Sequence, residues 1–121
     1  MPRAALPLLL GAGLLAGCAL SGPPVVGAAV EVVDGVVLPG WPRAVERHIA
    51  RACNPGPGPS GGVLMDVAVD PFGYVRVAGP AAPREGGPYS GQVALALLTS
   101  NCGHFSAPET PVRALIRVYP R

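Results

Sequence analysis

The stretch Val63-Leu-Met-Asp-Val-Ala-Val69 puts Val63, Met65, Val67 and Val69 on one face and Asp66 on the other. That period of two is the mark of a half-buried strand. Asp70-Pro-Phe-Gly73 follows, with proline second and glycine fourth as a type I turn prefers, and Tyr74-Val-Arg-Val-Ala78 returns with Val75 and Val77 alternating with Arg76. The pattern predicts an antiparallel hairpin. A further alternating run, Val112 to Tyr119, directs Val112, Ala114, Ile116 and Val118 inward and Arg113, Arg117 and Tyr119 outward. Strands of this kind have one apolar face, and that face has to be covered.

Two segments with helical spacing can cover it. Pro42 suits a first helical turn, where its missing N–H costs nothing, and in "PRAVERHIARAC" Val45, Ile49 and Ala52 form one apolar stripe with Cys53 beside it. Arg43, Glu46, Arg47 and Arg51 occupy the other positions, and His48 lies at the stripe edge as a partly buried surface histidine. Asn54-Pro55 stops the helix, and residues 55–62 are a Gly/Pro/Ser loop. After a loose loop from Gly79 to Pro88, Ser90 is expected to cap a helix running to about Asn101. Val93, Leu97, Ala94, Leu98 and Cys102 would form its broad apolar face. Both cysteines then sit at the ends of core-facing helices.

Residues 29–38, AVEVVDGVVL, set Asp34-Gly35 between β-branched runs, which reads either as a two-residue hairpin or as an extended arm. The expected fold class is therefore α+β: a small α-β-β-α-β domain over 41–121, with a three-stranded antiparallel sheet and two helices packed on one face.

Residues 1–17 carry one charge, Arg3, followed by an apolar and small-residue run to Gly17, the layout of a secretory signal peptide. The run is too short to span a bilayer, which takes about 20 apolar residues, and Pro7, Gly11, Gly13 and Gly17 weaken it as a helix. Leu15-Ala16-Gly17-Cys18 resembles the lipobox of bacterial lipoprotein precursors. In that family, small residues admit the peptidase and the accessible thiol accepts a diacylglyceryl group. The resemblance implies cleavage before Cys18, lipidation of its sulfur and acylation, commonly with palmitate, of the new amine. Each buried methylene adds about 0.8 kcal/mol to anchoring, and a stable hold takes more than one chain. Ala19 stands where an aspartate would resemble an inner-membrane retention signal, so outer-membrane placement facing the periplasm is expected, with residues 18–40 as lipidated cysteine and tether or hairpin.

With Cys18 assigned to lipid, Cys53 and Cys102 remain as an even pair in a chain expected to reach an oxidising compartment, and a disulfide follows. Removing Arg3 with the signal leaves eight arginines and no lysine against seven acids. That balance points away from nucleic acid.

Nothing in the sequence marks a catalytic, metal or cofactor site. Two cysteines with scattered histidines do not make a zinc set. His104 follows Cys102, but a cysteine held in a disulfide supplies no thiolate. Asp66, Asp70 and Glu109 lack the spacing of paired carboxylates, and Gly58-Pro-Ser-Gly-Gly62 follows a helix, whereas a nucleophile elbow follows a strand. Ser60 is discounted accordingly.

The helix ending "IARACNPG", the hairpin "VLMDVAVDPFGYVRV", the helix "VALALLTSNCGHF" and the closing strand "VRALIRVYPR" together resemble the C-terminal domain of the TolA/TonB superfamily, TolA-like domains more closely, over about 41–121. In TolA-like domains a cysteine near the first helix or strand pairs with one at the second helix, as Cys53 and Cys102 would. Such domains are periplasmic binding modules that offer a sheet edge or a groove to partner segments, and strand addition supplies main-chain hydrogen bonds with modest sequence demands. Carried over, the strand Arg113 to Tyr119 is the expected partner-binding edge, with Arg113, Arg117 and Tyr119 as its contacts. The same arginines would equally serve to blunt an edge strand against aggregation.

The resemblance stops short of the long stalk of TolA and TonB. Residues 19–40 reach at most roughly 80 Å when extended, so a membrane-tethered adaptor is expected in place of an energy transducer. The alternative is a structural lipoprotein subunit of a larger envelope, secretion or phage-related assembly, self-associating through residues 23–40.

Overall fold

The structure, a computed structural model, describes residues 27–120. The expected signal peptide, the Cys18 lipidation site and tether residues 19–26 lie outside the described residues. Eight elements follow one another: β1 (Gly27–Asp34), α1 (Trp41–Ala52), β2 (Val63–Val69), β3 (Val75–Pro80), a 3-10 turn (Pro83–Glu85), α2 (Pro88–Thr99), a second 3-10 turn (Asn101–Gly103) and β4 (Val112–Tyr119). The four strands form one antiparallel sheet in the order β1-β4-β2-β3.

The α+β class and the hairpin stand as expected from the alternation. Asp70 closes the turn, its Oδ1 accepting from the N–H groups of Phe72 and Tyr74, and Gly73 N–H donates to the Asp70 carbonyl at 3.0 Å. Gly73 has φ +98°, and its carbonyl accepts from Phe105 N–H at 2.8 Å. A Cβ there would run into the Phe105 carbonyl, so only glycine permits this approach.

Val63, Met65, Val67 and Val69 of β2 and Val112, Ala114, Ile116 and Val118 of β4 are buried, as their period of two requires. Trp41, Val45 and Ile49 of α1 and Tyr89, Val93 and Leu97 of α2 cover that face. Burial of each large apolar side chain contributes about 1.5–3 kcal/mol. Cys53, whose N–H closes α1 on the Ile49 carbonyl, is bonded to Cys102 with their Cα atoms 4.7 Å apart.

Several expectations are corrected. The sheet has four strands where three were expected, because residues 27–34 pair along β4 from Gly27↔Tyr119 to Asp34↔Arg113. Those residues therefore form neither a hairpin about Asp34-Gly35 nor a tether, and the folded unit begins well before residue 41. The strand Arg113 to Tyr119 is consequently interior, with β1 on one side and β2 on the other. Ser90 is not a cap: Gly87 precedes the helix, Pro88 occupies its first turn, and Ser90, buried one turn in, donates its hydroxyl to the Gly87 carbonyl at 2.9 Å. The helix ends at Thr99, which leaves Cys102 in the following 3-10 turn. Leu98 turns outward, because the apolar stripe of α2 is narrower than its composition.

Candidate functional site

The arginines expected to flank a binding edge are held within the molecule. Arg113 makes a two-pronged pair with Asp66 across β4 and β2, Nε to Oδ1 at 3.0 Å and Nη2 to Oδ2 at 2.6 Å. Arg117 donates to the Gly61 carbonyl at 3.0 Å and lies 3.7 Å from the Glu85 carboxylate. Tyr119 lays its ring within 3.6 Å of where a Cβ on Gly27 would stand. All three lie on the sheet face away from the helices, but β1 has taken the main-chain groups of β4 that would form an edge.

The hydrogen bond and charge of Arg113 hold the Asp66 carboxyl below its ordinary value of 3.8, against a smaller opposing push from burial. A lowered carboxyl pKa adds stability above the unfolded value and loses it as pH falls through the folded one. Stability is therefore expected to drop below about pH 4. An Asp66→Asn variant should show a shallower drop in denaturant titrations between about pH 4 and pH 2, differing at neutral pH by under about 1 kcal/mol because the pair is solvent-accessible. Equal slopes for the two proteins would remove the pair from the acid response.

The true edges are β1 and β3, and they differ. On β1 the outward Val30 N–H donates to the Glu46 carboxylate of α1 at 3.0 Å, so a side chain occupies the middle of that edge. Along β3, Ala81 N–H donates to the Leu64 carbonyl at 2.9 Å, and the two-residue alternation of an antiparallel ladder then turns Gly79 and Val77 toward β2 and Ala78 outward. Among the described residues no side chain hydrogen-bonds the main chain of Ala78.

Apolar side chains line this second edge. Val77 is 62% exposed on the open sheet face, Phe72 stands out from the turn, and Leu95 (63%) and Leu98 (45%) stand exposed on α2, a helix without a charged residue. At the head of β3, Tyr74 and His104 stack with ring centres 4.0 Å apart, and the Arg76 guanidinium lies 5.4 Å from the Tyr74 ring while pairing with Asp70 at 2.7 Å. Burial pushes the Asp70 carboxyl up, but the Tyr74 and Phe72 amides and Arg76 together bring it below 3.8. Tyr74, Arg76 and His104 border a recess of about 400 Å³ that Leu98 and Asn101 complete.

A second hollow, of about 510 Å³, lies between the β1–α1 connection and residues 106–110. Trp41 lies in it, its indole N–H donating to the Ser106 carbonyl at 2.8 Å, and Glu109 at its rim adopts φ +72°. The sequence carried no signal for this hollow, since its walls are far apart in the chain.

The histidines sit apart. His48 is half-buried, with Nε2 donating to the Asn101 carbonyl at 2.7 Å and its ring edge-on to Phe105. Among the described residues no group of three or more His, Cys, Asp or Glu is placed to hold a metal ion, and no helix is long and apolar enough to cross a membrane. Comparison of the chain with known protein families, with curated proteins and with solved structures found no match.

Proposed function

We propose that this chain is a lipoprotein of the outer membrane, anchored through Cys18 and facing the periplasm, whose folded domain is a non-catalytic protein-interaction module similar to TolA-like domains. The observation that carries the binding reading is the setting of the β3 edge: the outward main chain at Ala78 lies between Val77 and the exposed Leu95 and Leu98 of α2, whereas on β1 the outward amide of Val30 is already taken by Glu46. An extended envelope-protein segment added to β3 would gain main-chain hydrogen bonds there, and its alternate side chains would meet apolar surface on both sides.

The test is affinity capture from detergent-solubilised envelope with the intact chain, beside Val77→Glu/Leu95→Glu and Arg113→Glu/Arg117→Glu variants. A specific envelope protein kept by the arginine variant and lost by the edge variant is the expected result. Loss with the arginine variant alone would return the site to the open sheet face. Lipidation is tested separately: radiolabelled palmitate should enter the wild-type chain and be lost with Cys18→Ser.

A further inference from the structure

Residues 27–34 complete the sheet without entering the core. Every buried hydrophobic residue among the described residues lies between Trp41 and Val118, and Ala28, Val30 and Val32 of β1 are only partly buried. The strand is held by its ladder to β4, by the Val30 to Glu46 hydrogen bond and by the packing of Ala28, Val30 and Val32 against the core margin, with no fully buried side chain of its own. A unit with so little buried apolar surface is the first to open locally.

The connection that follows, Gly35 to Gly40, has the features of a hinge. Gly35 has φ +104°, and a Cβ there would stand 2.6 Å from the Pro111 carbonyl oxygen, so the turn out of β1 depends on glycine. Thr110 donates its hydroxyl to the Val36 carbonyl at 3.0 Å, the Leu38 carbonyl accepts from Trp41 N–H at 2.9 Å and Val37 packs against the core, so the segment is held at three points and its other side chains are left outside. Val36 and Leu38 are 77% and 80% exposed, the two most exposed large hydrophobic side chains among the described residues. They stand at the mouth of the 510 Å³ hollow containing Trp41, which continues directly from the β1–β4 pairing.

We infer that β1 is exchanged between two copies of this chain. In the exchanged pair each copy's residues 27–34 lie along the other's β4 in the register seen here, and the two straightened connections pass one another at the two-fold axis. The β1–β4 contacts and the Glu46 closure are the same in both states. The balance is set at the hinge, where a Gly35-dependent turn is given up and Val36 and Leu38 are buried against the partner's connection and the hollow. Exchange of an identical element is a low-cost route to a dimer, and short hinges invite it. This edge is distinct from β3, so the dimer would carry two free β3 edges.

A cross-link reads the topology directly. Glu31 and Leu115 are opposite one another in the β1–β4 register, so a Glu31→Cys/Leu115→Cys chain, with Cys18→Ser to remove the third thiol, joins β1 to the β4 it pairs with. The full chain is equilibrated over a range of concentrations reaching the roughly millimolar effective concentration a short connection gives its own strand. It is then oxidised and run on a denaturing non-reducing gel. A covalent dimer that grows with concentration, and falls about tenfold or more with Val36→Asp/Leu38→Asp, is expected. Cross-linked monomer alone at every concentration, a dimer unaffected by the hinge variant, or no cross-link at all would each overturn the exchange. None of these outcomes bears on capture of an envelope protein at β3.

Discussion

Replacing Trp41 with alanine is expected to lower the free energy of unfolding by about 3–5 kcal/mol, the range for removing a buried large aromatic side chain. Trp41 is 5% exposed, sits edge-on to Phe105 with ring centres 6.3 Å apart, and ties α1 to the 106–110 segment through its indole N–H. Trp41→Phe keeps most of the packing and removes the donor to Ser106, an exposed residue whose carbonyl can turn to water, so it should cost about 0.5–1.5 kcal/mol, the net worth of one hydrogen bond. Denaturant unfolding followed by far-ultraviolet circular dichroism measures both. A loss below about 1 kcal/mol for the alanine variant would mean that the start of α1 is not part of the cooperative core.

Removing the disulfide should cost nearly as much. Cys53 and Cys102 are 49 residues apart, and closing a loop of that size stabilises by about 4 kcal/mol in the chain-entropy account, the measured range for small domains being about 2–5. Both cysteines are buried, so a Cys53→Ala/Cys102→Ala variant loses packing as well as the link. Comparing it with the reduced wild-type chain separates the two contributions. A midpoint of unfolding that does not move on reduction would show that the C-terminal ends of the helices are held by the core alone. In a domain of this size, which buries a modest fraction of its surface, that outcome would be unexpected.

Where a local pattern was strong, the fold was legible. The period of two in Val63–Val69 and Val112–Tyr119 assigned each inward side chain, since a strand has only two faces. The stripe of Val45 and Ile49 placed α1 on the same grounds. Trp41 carries no local signal of burial, because it precedes Pro42 at the very start of the helix and is buried by Phe105 and Ser106, more than sixty residues away. Ser90 shows two local signals in competition. A serine before an apolar run reads as a cap, yet Gly87-Pro88 just upstream offered the proline start that the structure uses.

The binding edge was placed wrongly for a physical reason. Counting strands from residue 41 left Val112–Tyr119 with a free side, and nothing in GAAVEVVD states that it will fill that side, because strand pairing is a contact between distant segments. The Arg113–Asp66 pair depends likewise on β2 and β4 being neighbours, and the Glu46 closure of Val30 on α1 crossing β1.

The sequence by itself determined the class of fold, the inward and outward faces of β2 and β4, the hairpin turn at Asp70–Gly73 and the pairing of Cys53 with Cys102, because each rests on a short-range period or on a count of cysteines. Only the tertiary structure decided the strand order, which strands stand at the edges, and the hollow beside Trp41. Those depend on which distant segments meet, and main-chain hydrogen bonding between strands is nearly blind to sequence, so burial of the whole set of side chains has to select the arrangement.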